Sequence, residues 1–324
     1  MTEFVYSAGI IIYRIERGNV VFLFLVKKNG DLDFPKGRIE KGESALDAAI
    51  RETKEETGLS PEVKPSFKRK ESFFYIKMGK RYHKDLTLFL GEAKTRKAKI
   101  SWEHAGYRWL GVKEAMNEIK YKDMKDAINY AYHYIKKLSM VERINREYSK
   151  LPNRIKGWKL SRNFVPGKGP VDAKVVLLGQ APGAEEDAAK IPFVGRSGKL
   201  LDSLLKKSKI NREGVYITSV VQFFPPKNRI PTKKEIQLCR TFLIRQLEAI
   251  APEYVIFLGN VSASAFFHGH KALEHHGKVI KEDGITYMFT LHPAAVLRLN
   301  KFEGIMLSDL KKFAGIIEGN SSYL

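Results

Sequence analysis

The sequence predicts two α/β domains in series, and three observations carry that expectation. A chain of 324 residues suggests two domains of ordinary size, and a hydrophobic fraction of 44% is enough to build their cores. The first half reads as strands, a helix and more strands. The second half alternates short apolar runs with helical segments, which argues for a parallel sheet covered on both faces. The expected boundaries are 1–138 for the first domain, 139–152 for a connector and 153–324 for the second domain.

In the first half, "AGIIIYRI" and "VVFLFLVKK" flank the turn "ERGN". "SALDAAIRETKEET" is helical and ends at Gly58, and "KDLTLFLGEA" and "YRWLG" are strand-like. A lysine-rich helical stretch then runs from Val112 to Leu151 without Gly or Pro until Pro152, so the join is helical rather than a flexible linker. In the second half, "AKVVLLG", "GVYITSVV", "EYVIFLG" and "TYMFTLHP" are the four strands of a central parallel sheet. Ligands bind such sheets at the carboxyl ends of the strands, where this chain has the Pro-kinked "GQAPG", "QFFPP" and "LHPAA".

The net charge is +21 and the pI about 9.7, which favours polyanions as partners, whether nucleic acid such as DNA, nucleotides or an acidic membrane surface; a solvated lysine-rich surface is the alternative. The longest apolar runs are too short to span a bilayer, so no membrane partner is expected. The amino-terminal stretch carries no cleavage signature. The single cysteine, Cys239 in "EIQLCRTFL", fits a reducing, cytoplasmic setting. It cannot form an internal disulfide and reads as a small buried hydrophobe on a helix.

"GRIEKGESALDAAIRETKEETGL", Gly37 to Leu59, carries the strongest chemical signal. Glu52, Glu55 and Glu56 are spaced i, i+3, i+4, so their carboxylates share one helical face, with Leu46, Ala49, Ile50 and Thr53 on the packed side. Like charges this close call for a cation. A hard divalent ion, Mg²⁺ or Mn²⁺, takes oxygen ligands and phosphate oxygens together. Gly37 and Gly42 let the preceding loop approach the metal.

This stretch resembles the signature of the Nudix hydrolases: G, five residues, E, seven residues, R-E, aliphatic, x, E-E, x, G, aliphatic. Only Thr53 departs, where an aliphatic residue is usual. The resemblance implies an α/β/α sandwich with a mixed sheet, a metal on Glu52, Glu55, Glu56 and Gly37, and water attacking a bridged phosphorus of a nucleoside polyphosphate. "FPKGRIEKGE" and "SWEHAGYRWLGVKEA" look like the asymmetric diadenosine tetraphosphate hydrolases. That likeness implies Glu103 as a further ligand or general base, Lys36 and Lys84 on phosphates, and Tyr107 near an adenine face. For Tyr107, core packing is an equal alternative. Oxidised nucleotides and RNA 5′ ends use the same box, so the substrate stays open.

In the second half, "GQAPGAEEDAAKIPFVGRSGKLLD" follows the first strand, and its glycines expose backbone amides. Phe193 sits in a loop where it could stack on a base. His292 ends a strand, followed by Leu297 and Arg298, and "PPKNRIPTKKE" supplies Arg229. This half resembles the uracil-DNA glycosylase superfamily, nearest its iron–sulfur type, through these segments together with "VYITSVVQFFPPKNRIPT" and "HPAAVLR". The resemblance implies a flipped uracil stacked on Phe193, His292 supporting charge on the leaving base, Leu297 as a wedge in the duplex and Arg298 and Arg229 facing DNA. Gln180 stands where that family has Glu; an amide positions water but cannot act as a base. Ser219 stands where Asn is usual, offering one hydroxyl to the base edge. Glu186 and Asp187 fit an acidic cap equally well.

The four cluster cysteines of that type correspond to Pro152, Ile155, Phe223 and Cys239. One thiolate cannot hold a cluster, so none is expected, and Phe223, Ile155 and Cys239 should bury together, with Phe223 touching Cys239. His268, His270, His275 and His276 show no spacing that completes a zinc site. Three readings of the second half remain: excision of uracil, nucleic-acid binding with weakened chemistry, or action on a different damaged base.

Overall fold

The computed structural model describes residues 2–267, 269 and 271–319. The chain divides into two compact units between Lys136 and Lys137. His268 and His270 lie outside the described residues, and among the described residues no helix is long and apolar enough to cross a membrane.

The first unit opens with β1 (Glu3–Glu16), β2 (Asn19–Lys27), β3 (Leu32–Asp33) and β4 (Lys36–Arg38), then α1 (Ala45–Thr57). It continues with β5 (Glu62–Lys77), β6 (Lys80–Glu92), β7 (His104–Gly111), α2 (Val112–Glu118) and α3 (Lys122–Tyr148), within which the two units divide. The sheet order is β3-β2-β1-β6-β5, with β4 paired to β1 and β7 to β2. β1 and β6 run parallel and the other pairs antiparallel, giving the mixed sheet expected. Ile10, Ile11 and Ile12 are all buried, because both faces of β1 are covered and the strand needs no alternation.

α1 begins at Ser44, whose hydroxyl accepts from the Asp47 N–H at 3.2 Å, and ends at Gly58 in the left-handed conformation. Its packed side is Ala48, Ala49, Thr53 and Thr57, set against Ala8, Ile10 and Ile12 of β1. Thr53 is fully buried, as expected, but Ile50, also expected there, is 43% exposed. The threonine is therefore a core residue on the side away from the carboxylates. β5, which contains Pro65 and many lysines, gave no clear strand signal. The long helical stretch breaks at Ile119–Tyr121, between α2 and α3.

The second unit contains α4 (Leu151–Arg154), β8 (Val175–Gly179), α5 (Ala184–Ala189), α6 (Arg196–Lys207), β9 (Val215–Ser219), α7 (Lys233–Ile250) and β10 (Tyr254–Leu258). It closes with α8 (Asn260–Ser264), α9 (Ala272–His275), β11 (Val279–Glu282), β12 (Ile285–Thr290), α10 (Pro293–Arg298) and α11 (Glu303–Ile317). The sheet order is β11-β12-β10-β8-β9. Four strands are parallel, as expected; β11 is an additional antiparallel edge, joined to β12 through Asp283 and Gly284, both at positive φ. Val175, Ile217, Ile256 and Met288 from the sheet pack with Leu201 and Leu204 of α6 and Leu310 and Phe313 of α11. The carboxyl ends of β8, β9, β10 and β12 thus deliver Gly179, Ser219, Gly259 and His292 to one rim.

Candidate functional site

In the first unit the site forms where β4 meets α1. Gly37 pairs with Ala8 of β1, and a Cβ built on it would lie 1.9 Å from the Glu52 carboxylate. Only glycine leaves that space. Glu56 Oε2 accepts from the Lys36 backbone N–H at 3.0 Å. Burial pushes the Glu56 carboxyl up to about 7; the Lys36 bond and charge oppose the shift, and the Glu52 and Asp33 charges add to it. Arg51 spans the face, with Nη1 donating to Glu52 at 2.8 Å and Glu55 at 3.5 Å, and Nε and Nη2 donating to Glu43 at 2.9 and 3.0 Å. Its Nη2 also reaches the Arg38 carbonyl at 3.0 Å, tying loop to helix.

Among the described residues, no three His, Cys, Asp or Glu side chains converge on one point. The expected set Glu52, Glu55, Glu56 and Glu103 is therefore not a closed cage: the carboxylates share a face, Arg51 claims two of them, and Glu103 is an exposed turn residue before β7. Lys36 pairs with Asp33, which also holds Lys27 at 2.7 Å. Burial, followed by repulsion from Lys36, pulls the Lys84 ammonium down to about 8. Tyr107 packs partly against the core of this unit and, with Arg96, Lys97 and Trp109, borders a shallow open hollow.

In the second unit a cavity of about 530 Å³ opens at the rim, lined by Gln180, Phe193, Ser219, Asn260, His292 and Arg298 among others. Phe193 has φ +55° and is nearly buried, with its ring 6.2 Å from the His292 ring. Gly179 and Gly198 make that pose possible: a Cβ on either would strike Phe193, at 2.7 and 1.8 Å. His292 caps α10, its Nδ1 accepting from the Ala294 N–H at 3.1 Å. Nδ1 is then the unprotonated nitrogen and Nε2 carries the hydrogen. Burial, with the Arg298 charge second, drives the imidazole pKa down to about 4, so the ring is neutral at pH 7.

Glu186 holds this loop: its carboxylate accepts from the N–H groups of Gly183 at 3.0 Å and Gly195 at 3.4 Å. The capping pattern Gly183-x-x-Glu186 was the sequence signal for that role. Leu297 and Arg298 are exposed on α10, beside the cavity. Arg229, expected on DNA, is instead forked onto Glu235 at 2.7 and 2.8 Å, where it braces the amino-terminal cap of α7. The fork commits both terminal nitrogens to Glu235.

Cys239 lies fully buried on α7, and burial pushes its thiol up to about 12. Phe223 is also fully buried, but Ile155 remains half-buried. The residue that joins Phe223 and Cys239 is one the sequence did not single out, Tyr148. Its ring lies edge-on to Phe223 at 5.2 Å, and the Cys239 thiol beside it adds to the upward push that burial gives its hydroxyl.

Comparison with known proteins divides the chain the same way. Residues 3–131 match the model of the NUDIX domain, and residues 166–312 match that of the uracil DNA glycosylase superfamily. The second half is 40% identical over 161 residues to the type-4 uracil-DNA glycosylase of Thermotoga maritima, covering 48% of this chain and 84% of that protein. It is 39% identical over 168 residues to the type-4 enzyme of Archaeoglobus fulgidus, covering 48% of this chain and 82% of that one. The first half is 30% identical over 142 residues to the asymmetrical bis(5′-nucleosyl)-tetraphosphatase of Mus musculus, covering 40% of this chain and 94% of the mouse protein. The chain is accordingly a fusion, a Nudix hydrolase domain followed by a member of the uracil-DNA glycosylase superfamily of the type-4 kind.

Proposed function

We propose that the first domain hydrolyses nucleoside polyphosphates, dinucleoside tetraphosphates among them, with Mg²⁺ or Mn²⁺, and that the second excises uracil or another damaged base from DNA. For the first domain, the supporting observation is the contact of Gly37 with Glu52. A glycine whose missing Cβ is the space of a carboxylate, next to a second carboxyl held near neutrality by burial, is a donor set suited to a hard divalent cation. Glu52, Glu55, Glu56 and the Gly37 carbonyl would hold the ion, with Glu103 as a further ligand or base. Bound there, it would polarise a phosphoryl oxygen and offset the charge of the phosphates. Arg51 keeps Glu52 and Glu55 oriented, and Lys36 and Lys84 neutralise the phosphate chain. Mg²⁺-dependent cleavage of diadenosine tetraphosphate, abolished in Glu56→Gln, tests this; full rate in the variant refutes it.

For the second domain, the support is the neutral His292 at the cavity wall, with Nε2–H free to donate. A neutral donor stabilises negative charge developing on a departing base without first giving up a proton. Phe193 presents a ring for stacking, the Ser219 hydroxyl reads a base edge, and Gln180 positions water. Leu297 and Arg298 stand where a wedge and a phosphate contact would be useful. Incubation with a uracil-containing oligonucleotide tests the proposal through abasic product, lost in His292→Ala. Gln180 and Ser219 favour one other reading, a DNA-binding module with little chemistry, which binding without product at excess enzyme would establish.

A further inference from the structure

In the type-4 enzymes a cluster would tie together the segment after α4, the loop after β9, and α7. Here Pro152, Ile155 and Phe223 offer no ligand atoms, so these residues do not fit a four-thiolate cluster. The three segments still need fastening, because the loop after β9 forms part of the cavity floor.

The space is filled from α3. Tyr148 is fully buried, stacked on Phe242 of α7 at 4.5 Å with planes 3° apart, and edge-on to Phe164 at 5.1 Å and Phe223 at 5.2 Å. Its hydroxyl accepts from the Gln222 N–H at 3.3 Å and lies beside the Cys239 thiol. The Gln222 side chain is fully buried too, donating from Nε2 to Thr218 Oγ1 at 2.8 Å and to Gln246 Oε1 at 2.6 Å. Gln246 in turn donates to Asn145 Oδ1 at 2.6 Å. Asn145 and Tyr148 lie three residues apart, on one face of α3.

From Gln222 the connection continues into the pocket. The N–H groups of Val220 and Val221 donate to the carbonyls of Gly179 and Gln180 at 3.0 and 3.1 Å. Ser219 and Gln180, both at the cavity wall, are thus held in register by a segment whose next residue is clamped by Tyr148. Because the Gln222 and Gln246 side chains are fully buried, releasing a link strands a polar group without water.

We infer that Tyr148, with the amide chain Gln222–Gln246–Asn145, does the fastening here that a metal cluster would do, and that Tyr148 and Gln222 are positioning residues for the base pocket. The inference rests on the reading of that cavity as a base site. It makes the end of α3 part of the glycosylase fold.

The test is amide hydrogen exchange on the full chain carrying Tyr148→Phe, which keeps the aromatic stack and removes only the hydroxyl. The amides of Val220, Val221 and Gln222 are expected to exchange about tenfold faster, the net worth of one buried hydrogen bond, while the melting temperature falls by only a few degrees. Hydrolysis of nucleotides by the first domain should be unchanged, while kcat for uracil excision falls and DNA affinity holds. Unchanged exchange at those amides would overturn the inference, as would stoichiometric iron in the purified protein. If the wild-type chain neither binds nor cleaves uracil-containing DNA, the base-site reading fails, yet the exchange result still decides the fastening. Should Tyr148→Phe not fold, Asn145→Leu breaks the far end of the same chain and is expected to loosen the same amides; unchanged exchange there also overturns the inference.

Discussion

The carboxylate of Glu52 occupies the position where a side chain on Gly37 would start: a Cβ there would stand 1.9 Å from both Cδ and Oε1. β4 and α1 are therefore in contact through an absent atom. Gly37→Ala should fold, since Gly37 lies on the short β4 and not in a left-handed conformation. It should nevertheless lose most nucleotide hydrolysis, because Glu52 must rotate away. The check is kcat/KM against diadenosine tetraphosphate beside an unchanged circular dichroism spectrum, with a loss of about a hundredfold or more expected from a misplacement of about an ångström.

His292 should keep the second site working in acid. Its folded pKa, about 4, lies below the ordinary 6.5, so the neutral donor persists through pH 5. The acid limb of excision should fall near pH 4. Linkage gives the sign for stability: between pH 6.5 and 4 the unfolded chain binds the proton that the folded one refuses, so this group costs stability as pH falls through that window. His292→Gln should flatten that part of the stability–pH curve, measurable by urea unfolding.

Ser219→Asn places a donor and an acceptor where one hydroxyl now faces the cavity. Ser219 is buried at the end of β9 and lines the cavity. Selectivity for uracil over cytosine should rise by about tenfold, the scale of one well-made hydrogen bond. The ratio of excision rates on matched oligonucleotides measures it.

Arg229→Ala should act on stability rather than on DNA. The fork onto Glu235 leaves little charge for phosphate, and Glu235 is itself pulled down to about 2, chiefly by Arg229. Removing the arginine should lower the melting temperature through the α7 cap and leave the salt dependence of DNA binding unchanged. Arg298→Ala, with its exposed head at the cavity, should instead weaken DNA binding and reduce the salt slope by about one ion.

Much of this was legible beforehand because periodicity and short-range spacing report local structure. The i, i+3, i+4 glutamates had to share a face of α1, and four apolar runs separated by helices had to become parallel strands. What escaped depended on distant partners. Arg229 reads as one of a basic group until Glu235, on the following helix turn, claims it. Tyr148 looks like any aromatic on a lysine-rich helix; nothing local says that Phe242, Phe223 and Cys239 surround it. Thr53 lies on the packed side as expected, but Ile50 is turned out, because the alanines of α1 bring the helix so close to β1 that small side chains fill the interface. β5 hides its strand character behind Pro65 and its lysines.

The family match of the second half starts at residue 166, while Asn145 and Tyr148 precede it. A gene fragment cut at the family boundary would carry every group that faces the base cavity and still omit two residues packed into its foundation. As interchangeable cassettes, the two halves do not separate at their recognisable borders. Any recombination that preserves the second must carry the last turns of α3 along with it.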